Sequence, residues 1–420
     1  MLNALAKNPE LKVSGRTSSF AFKGKKEDLR GIGQKLGVGT LLEGSVRKAG
    51  NRVRITAQLV NTVDGFHLWS ETYDRVLDDI FAVQDEIAKS VTAAMNVTLL
   101  GKTVSKRPPN PESFALVLRA NQSAQQMNKS GLGVAINIYQ KAIELDPDNA
   151  RAWAGLARTL AIQVAYGHAN YNETYSRSKE AAQKALALDE TLPEAHQAMA
   201  FILGALEMKF DECGVAYRKA YALAPNDSQI VSSLSIYEGI SGRFEKALRL
   251  SKLAVELDPL NPETHRYYGN ILFWTGQLDK AGDVIKRALE MSPDMAAAHL
   301  NLGWVLIFQG KLDEALTEIK MEKLDGYRNC GLAMVYHAMG RKQESDSAFE
   351  DLLANGDHWG FQTACVYAYR EECDKAFEWL EKSFTLRDAG IPITRVHPCL
   401  KNLHSDPRWP EFIKKIGLAD

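Results

Sequence analysis

Beyond residue 110 the apolar positions fall three and four apart, the spacing of one helix face, and these faces come in pairs. The pairs are punctuated by Pro147, Pro225, Pro259 and Pro293, the last three 34 residues apart, and Glu190 stands where a fifth proline would fall. An alanine precedes each mark by five residues: Ala142, Ala185, Ala220, Ala254 and Ala288. Seven residues earlier again stands a small residue, as Ala135, Cys213, Ala247 and Ala281. The other half of the unit recurs as Trp153, Leu156, Ala157 and Leu160, then Tyr268, Gly269 and Leu272, then Leu302, Gly303 and Leu306. Small residues let helices approach closely, glycines at Gly242, Gly276, Gly310 and Gly340 suit tight turns, and proline ends the second helix. The pattern predicts about eight antiparallel helix pairs between residues 111 and 388. The second unit carries nine extra residues around AYGHANYNETYS, and Glu322 replaces the second alanine after Ala315.

Residues 1–107 follow another rhythm. ALAKN reads as the end of a helix, LKVSGR as a short strand, and EDLRGIGQKLGV as an amphipathic helix with Leu29, Ile32 and Leu36 on one face. TLLEGSVRKAGNRVRITAQLVNT reads as two strands about an AGN turn, with Val53, Ile55, Ala57 and Leu59 alternating against Arg52, Arg54, Thr56 and Gln58. FHLWSETYDR gives a third strand and DIFAVQDEIAKSVTAAMNVTL a closing helix. The fold class expected is therefore an α+β N-terminal domain, helices on a mostly antiparallel sheet, followed by an all-α solenoid of stacked pairs.

Charge sharpens this division. Residues 1–107 hold 17 Lys/Arg against 11 Asp/Glu, a balance of +6, whereas the remainder holds 34 against 41, a balance of −7. The proline cluster SKRPPNPES marks the boundary. We expect a domain at 1–104, a linker at 105–111, a solenoid at 112–390 and a C-terminal cap at 391–420. Over all 420 residues the net charge is −1, so no global field draws the chain to nucleic acid or membrane. No apolar run nears the ~20 residues of a membrane span, and MLNALAKNPE lacks the features of a signal peptide. Five cysteines without a CxxC pair fit neither a disulfide framework nor a zinc site. A soluble, cytoplasmic chain without membrane insertion is the expectation, with the periplasm left open if a membrane helix lies upstream.

The 34-residue helix-turn-helix pattern strongly resembles the tetratricopeptide (TPR) repeat family, which implies a right-handed solenoid. RTSSFAFKGKKEDLRGIGQKLGV, LLEGSVRKAGNRVRITAQLV, GFHLWSETYDR and DIFAVQDEIA resemble the TolB-like N-terminal domain of bacterial TPR regulators. In that family a strand precedes the helix in which Met1 here falls, so the domain reads as truncated, and its bare sheet edge points to weak self-association. The resemblance implies a regulatory or scaffolding module. Family members often carry an upstream class III nucleotide cyclase, protein kinase or winged-helix DNA-binding domain.

Candidate chemistry is sparse. His196, His265 and His299 share one repeat position, the one held by Trp153 elsewhere, which favours a structural role over metal ligation. No phosphate loop and no Ser/His/Asp arrangement stands out, so no catalytic residue, cofactor or metal site is expected. Twelve Lys/Arg against four Asp/Glu within 7–54 raise nucleic-acid binding, but no binding motif accompanies them and a solvated sheet face explains them better. The expected site is the concave groove, with Arg266, Asn270, Trp274, Asn301, Trp304 and Phe308 as peptide-binding residues. Arg266, Asn270 and Asn301 resemble part of the two-carboxylate clamp of some TPR proteins, whose following basic pair is replaced by Tyr327 and Gly331. A non-enzymatic scaffold for a protein or peptide partner is the main reading. The alternatives are the sensory C-terminal part of a split or truncated cyclase or kinase, and a nucleic-acid regulator acting through the basic domain.

Overall fold

The computed structural model describes residue 5 and residues 11–25, 27–76, 80–94, 110–125, 128–166, 168–356 and 359–418. Apart from Leu5, the expected helix end at ALAKN lies outside these, as do the end of the closing helix and most of the expected linker.

The alternation at residues 40–76 builds a three-stranded antiparallel sheet in the order β1 (Thr40–Ala49), β2 (Arg52–Asn61), β3 (His67–Val76). Ala49 pairs with Arg52, so Gly50-Asn51 form a two-residue turn, and Gly50 takes the positive φ of 58° that such turns demand. Val53, Ile55, Ala57 and Leu59 are buried on one face of β2. Helix α3 (Ile80–Ala94) covers that face with Val83, Ile87 and Val91. Two short helices precede the sheet, α1 (Arg16–Phe20) and α2 (Leu29–Leu36), the latter burying Ile32 and Leu36 as its pattern predicts. LKVSGR departs from expectation: residues 11–15 form no strand, and Arg16 opens α1. The backbone bonds of this segment go to the solenoid instead.

Eight helical hairpins follow among the described residues: α4 (Pro111–Ala124) with α5 (Lys129–Leu145), α6 (Ala150–Ala165) with α7 (Tyr171–Leu188), α8 (Pro193–Phe201) with α9 (Phe210–Leu223), and α10 (Ser228–Ile240) with α11 (Phe244–Leu257). Then come α12 (Pro262–Trp274) with α13 (Leu278–Met291), α14 (Ala298–Phe308) with α15 (Leu312–Met321), α16 (Asp325–Ala338) with α17 (Lys342–Ala354), and α18 (Gly360–Tyr369) with α19 (Cys373–Thr385). They stack into a solenoid, each hairpin burying the apolar stripe of its neighbour. Ala247, Ala254, Ala281 and Ala288 are almost fully buried at the close approaches. The turns within hairpins use Gly242, Gly276, Gly310 and Gly340 at φ between 72° and 77°.

Four of the turns between hairpins carry the same clasp. Trp153 Nε1 donates to the Pro147 carbonyl at 2.8 Å. His196, His265 and His299 reach Glu190, Pro259 and Pro293 carbonyls in the same way, at 2.8–2.9 Å. The periodic histidines are thus turn fasteners, and burial lowers the pKa of His265, keeping it a neutral donor. Val231 occupies this place in the fourth hairpin, which has no clasp.

After α19 the chain forms two 3₁₀ segments, Ile391–Val396 and Pro398–Ser405, and helix α20 (Arg408–Lys415). Trp409, Phe412 and Ile413 of α20 are buried, with Phe412 edge-on to Phe377 of α19 at 6.5 Å. The same stretch returns to earlier hairpins: a Cβ at Gly417 would lie 3.1 Å from the Met208 carbonyl, and Arg395, beside Gly242, donates to the Leu418 carbonyl at 3.0 Å.

Candidate functional site

The first helices of the hairpins form the inner wall of a lumen of about 3300 Å³. Hairpins far apart in sequence face one another across it. Arg158 and Tyr166 come from α6 and its C-terminal end, Arg266, Tyr267 and Asn270 from α12, and Tyr327 from α16. Tyr166 lies within electrostatic reach of Arg266 and Glu263, and Tyr327 of both Tyr166 and Arg266.

Arg266 is held in place by its neighbours in this group. Its Nη2 donates to Glu263 at 2.9 Å, its guanidinium lies 4.5 Å from the centre of the Tyr267 ring, and its Nε has no partner among the described residues. Burial works against its charge, but the Glu263 carboxylate beside it favours it, so it stays protonated above the ordinary arginine range. Burial also pushes up the phenols of Tyr166, Tyr267 and Tyr327, which remain neutral donors. Asn301 Nδ2 donates to Asn270 Oδ1 at 2.9 Å, joining two neighbouring hairpins on the same wall. Asp388, at the entry to the C-terminal segment, accepts the Gly390 and Phe361 amides at 2.8 and 3.0 Å. Burial outweighs those bonds and raises its carboxyl to about 6.

The six residues expected in the groove divide. Arg266, Asn270, Trp274 and Asn301 line the lumen, with Trp274 packed over Gly239 of the preceding hairpin. Trp304 also borders it, but is only 5% exposed: its Nε1 points at Met334 Sδ at 3.3 Å, and the His397 ring stands edge-on to it at 4.7 Å. It packs rather than presents a surface. Phe308 stands at the helix end, edge-on to Phe273 and Tyr369, and is 37% exposed. Arg158, Tyr166, Tyr267 and Tyr327 lie outside the expected set. The inner-wall register of α12, carried along the repeat, reaches some of them, but nothing local shows that α6 faces α12.

Among the described residues, eleven acidic side chains against seven basic ones border the lumen, which does not suit a polyanion. On the sheet, Arg52 and Arg54 both pair with Asp74, at 3.3 and 2.7 Å, on an exposed face. Among the described residues no group of three or more His, Cys, Asp or Glu could hold a metal, and no helix is long and apolar enough to cross a membrane.

Comparison with known proteins identifies the repeats. Family models of the tetratricopeptide repeat match residues 138–176, 241–295 and 275–322, so the chain carries TPR repeats. A relative from Rhizobium meliloti (strain 1021) named "Putative adenylate cyclase 3" is 36% identical over 208 residues, covering 48% of this chain. The chain spans only 35% of that relative's length. Among solved structures, a monomeric mutant of IFIT1 with Gppp-AAAA aligns at a TM-score of 0.51 and 15% identity, covering 81% of this chain and 77% of the other. TTC0263, a TPR protein of Thermus thermophilus, aligns at 0.39 and 16% identity over 46% of this chain and 99% of its own. The first of these likenesses supports the solenoid fold and nothing finer.

Proposed function

We propose that this protein is a non-enzymatic regulatory scaffold whose solenoid holds a segment of a partner protein in its lumen. The observation that carries the reading is the size and lining of that lumen. Its 3300 Å³ exceeds the roughly 300–1,000 Å³ of small-molecule pockets, and polar side chains from several hairpins converge in it. Arg266 offers an unpaired Nε, and tyrosine and arginine dominate binding energy where a partner buries them. To test it, random peptides displayed on phage are selected against the full chain, and binders are titrated against wild type and Arg266→Ala. Selected peptides should lose at least tenfold in affinity; recovery of no binders, or binders indifferent to the substitution, sinks the reading.

A second reading concerns context. The 36% identity to a relative named as a cyclase, of which this chain matches about a third, supports a regulatory C-terminal part working beside a catalytic domain. We read residues 1–104 as a TolB-like domain, 105–111 as its linker, 112–390 as the solenoid and 391–420 as the cap, in a cytoplasmic protein. The outer edge of β1 pairs with no strand among the described residues, which supports weak self-association there. Reading frames upstream of Met1 test the cyclase context: an in-frame catalytic domain supports it, and an unrelated neighbouring gene removes it.

A further inference from the structure

Residues 11–20 lie across the turns that join the third, fourth and fifth hairpins, and their contacts there are built rather than incidental. Asn226 Nδ2 donates to the Leu11 carbonyl at 2.7 Å, and the Gly15 amide to the Leu257 carbonyl at 2.5 Å. Asp258 Oδ1 accepts the Ser18 amide at 2.8 Å and the Ser18 hydroxyl at 2.5 Å. That hydroxyl in turn accepts the Leu260 amide at 2.8 Å. Ser18 is wholly buried and Asp258 is 2% exposed.

Asp258 shows what this place is for. Its Oδ2 is served from within the solenoid, by Asn261 Nδ2 at 3.0 Å and the Ser228 hydroxyl at 3.4 Å. Both donors to Oδ1 come from the crossing segment. With the segment in place Asp258 is sealed from water, and the Ser18 amide and hydroxyl supply the donors that its Oδ1 would otherwise take from solvent. The shape is equally specific: a Cβ at Gly15 would fall 2.3 Å from Asp258 Cγ, so the backbone must be glycine there. The corresponding carboxylate of the first hairpin, Asp146, likewise accepts a passing backbone amide, Asn110 N–H at 2.8 Å.

We propose that the rim around Asn226, Asp258 and the Leu260 amide is a second binding site, for a basic peptide whose Gly-x-x-Ser opens a helical turn, occupied in cis by residues 11–18. Charge supports this occupant. The basic N-terminal region meets an acidic solenoid, and Lys12 lies 3.4 Å from Glu256 at the edge of the site. Occupancy has a consequence for the lumen, because Val13, Phe20, Val46, Ile55 and Ile87 all border it. Docking of the segment therefore holds the sheet at the mouth of the lumen, and a competing peptide would free it.

The test uses the full chain and a fluorescein-labelled peptide of residues 11–22, LKVSGRTSSFAF, followed by anisotropy. In the wild type the tethered copy, at an effective concentration of about millimolar, should outcompete it. Gly15→Val disables the cis copy by its clash, so the peptide should then bind at least tenfold more tightly, and adding Asp258→Asn should abolish that gain. Ser18→Ala serves as a second way to weaken the cis copy should Gly15→Val fail to fold by circular dichroism. Peptide binding equal in wild type and both variants, no binding to either variant, or binding indifferent to Asp258 overturns the proposal. Retained peptide exchange with no effect of Arg266→Ala would remove the lumen reading and leave this one standing.

Discussion

Both ends of the chain come back to the solenoid, but by opposite chemistry. The C-terminal stretch is inserted as core: Ile391, Leu400 and Leu403 are fully buried, and His397 fits edge-on among Trp304, Phe361 and Phe273 at 4.7, 5.5 and 5.9 Å. One apolar cluster runs without a break from Ala200 to Leu418. The N-terminal segment instead docks through a few directional hydrogen bonds on Asp258 and Asn226, and leaves Phe20 49% exposed. Apolar burial is roughly proportional to area and ties a segment to the whole fold, whereas a handful of hydrogen bonds contributes about 1 kcal/mol each and can be exchanged for those of another chain. The C-terminal stretch is built into the core of the solenoid, whereas the N-terminal segment is docked on its rim.

Substitutions at the two ends probe that contrast. Trp304→Ala should have the largest effect, about 3–5 kcal/mol of stability in urea unfolding, because it empties a site closed by His397 and Met334. Phe308→Ala, at a half-exposed helix end, should cost about 1 kcal/mol or less. The reverse order would mean that Trp304 faces a partner and that the C-terminal stretch is not core.

Asp388 gives a smaller, pH-dependent effect. Its carboxyl titrates near about 6 in the fold against an ordinary value of 3.8, so the folded state takes up this proton first as pH falls. The resulting stability is lost as pH rises through 6 and fully present below about 4. Asp388→Asn should therefore remove about 1–3 kcal/mol of the pH dependence between 4 and 6, measured as the difference in unfolding free energy from wild type. Parallel profiles would show that the carboxyl is not held in an unfavourable site.

Lys12→Ala should be the mildest. The Lys12–Glu256 pair is solvent-exposed, and such pairs contribute about 0–1 kcal/mol. Amide exchange at Ser18 should stay nearly as protected as before. Strong deprotection would mean that charge, rather than the Asp258 bonds, holds the segment.

Much of the fold was legible residue by residue. Val53, Ile55, Ala57 and Leu59 announced the buried face of β2, and the 34-residue spacing announced the hairpins and their glycine turns. LKVSGR was not legible, because six residues of mixed character can pair with a sheet or cross a solenoid, and only the partner decides. The lumen wall was partly legible: the places of Arg266, Asn270 and Asn301 on it follow from register within neighbouring hairpins. Trp304 could not be told from an exposed groove aromatic, since what covers it is His397, 93 positions later.

The sequence by itself therefore determined the repeat, the turns and the sheet, all of which rest on contacts between residues close in the chain or one repeat apart. Only the tertiary structure decided that Ser18 meets Asp258, that Gly417 meets Met208, and that Arg266 looks across at Tyr166. These contacts depend on the curvature of the whole array, which accumulates from small rotations at each hairpin interface. No single interface carries enough of that rotation to be read from its own residues.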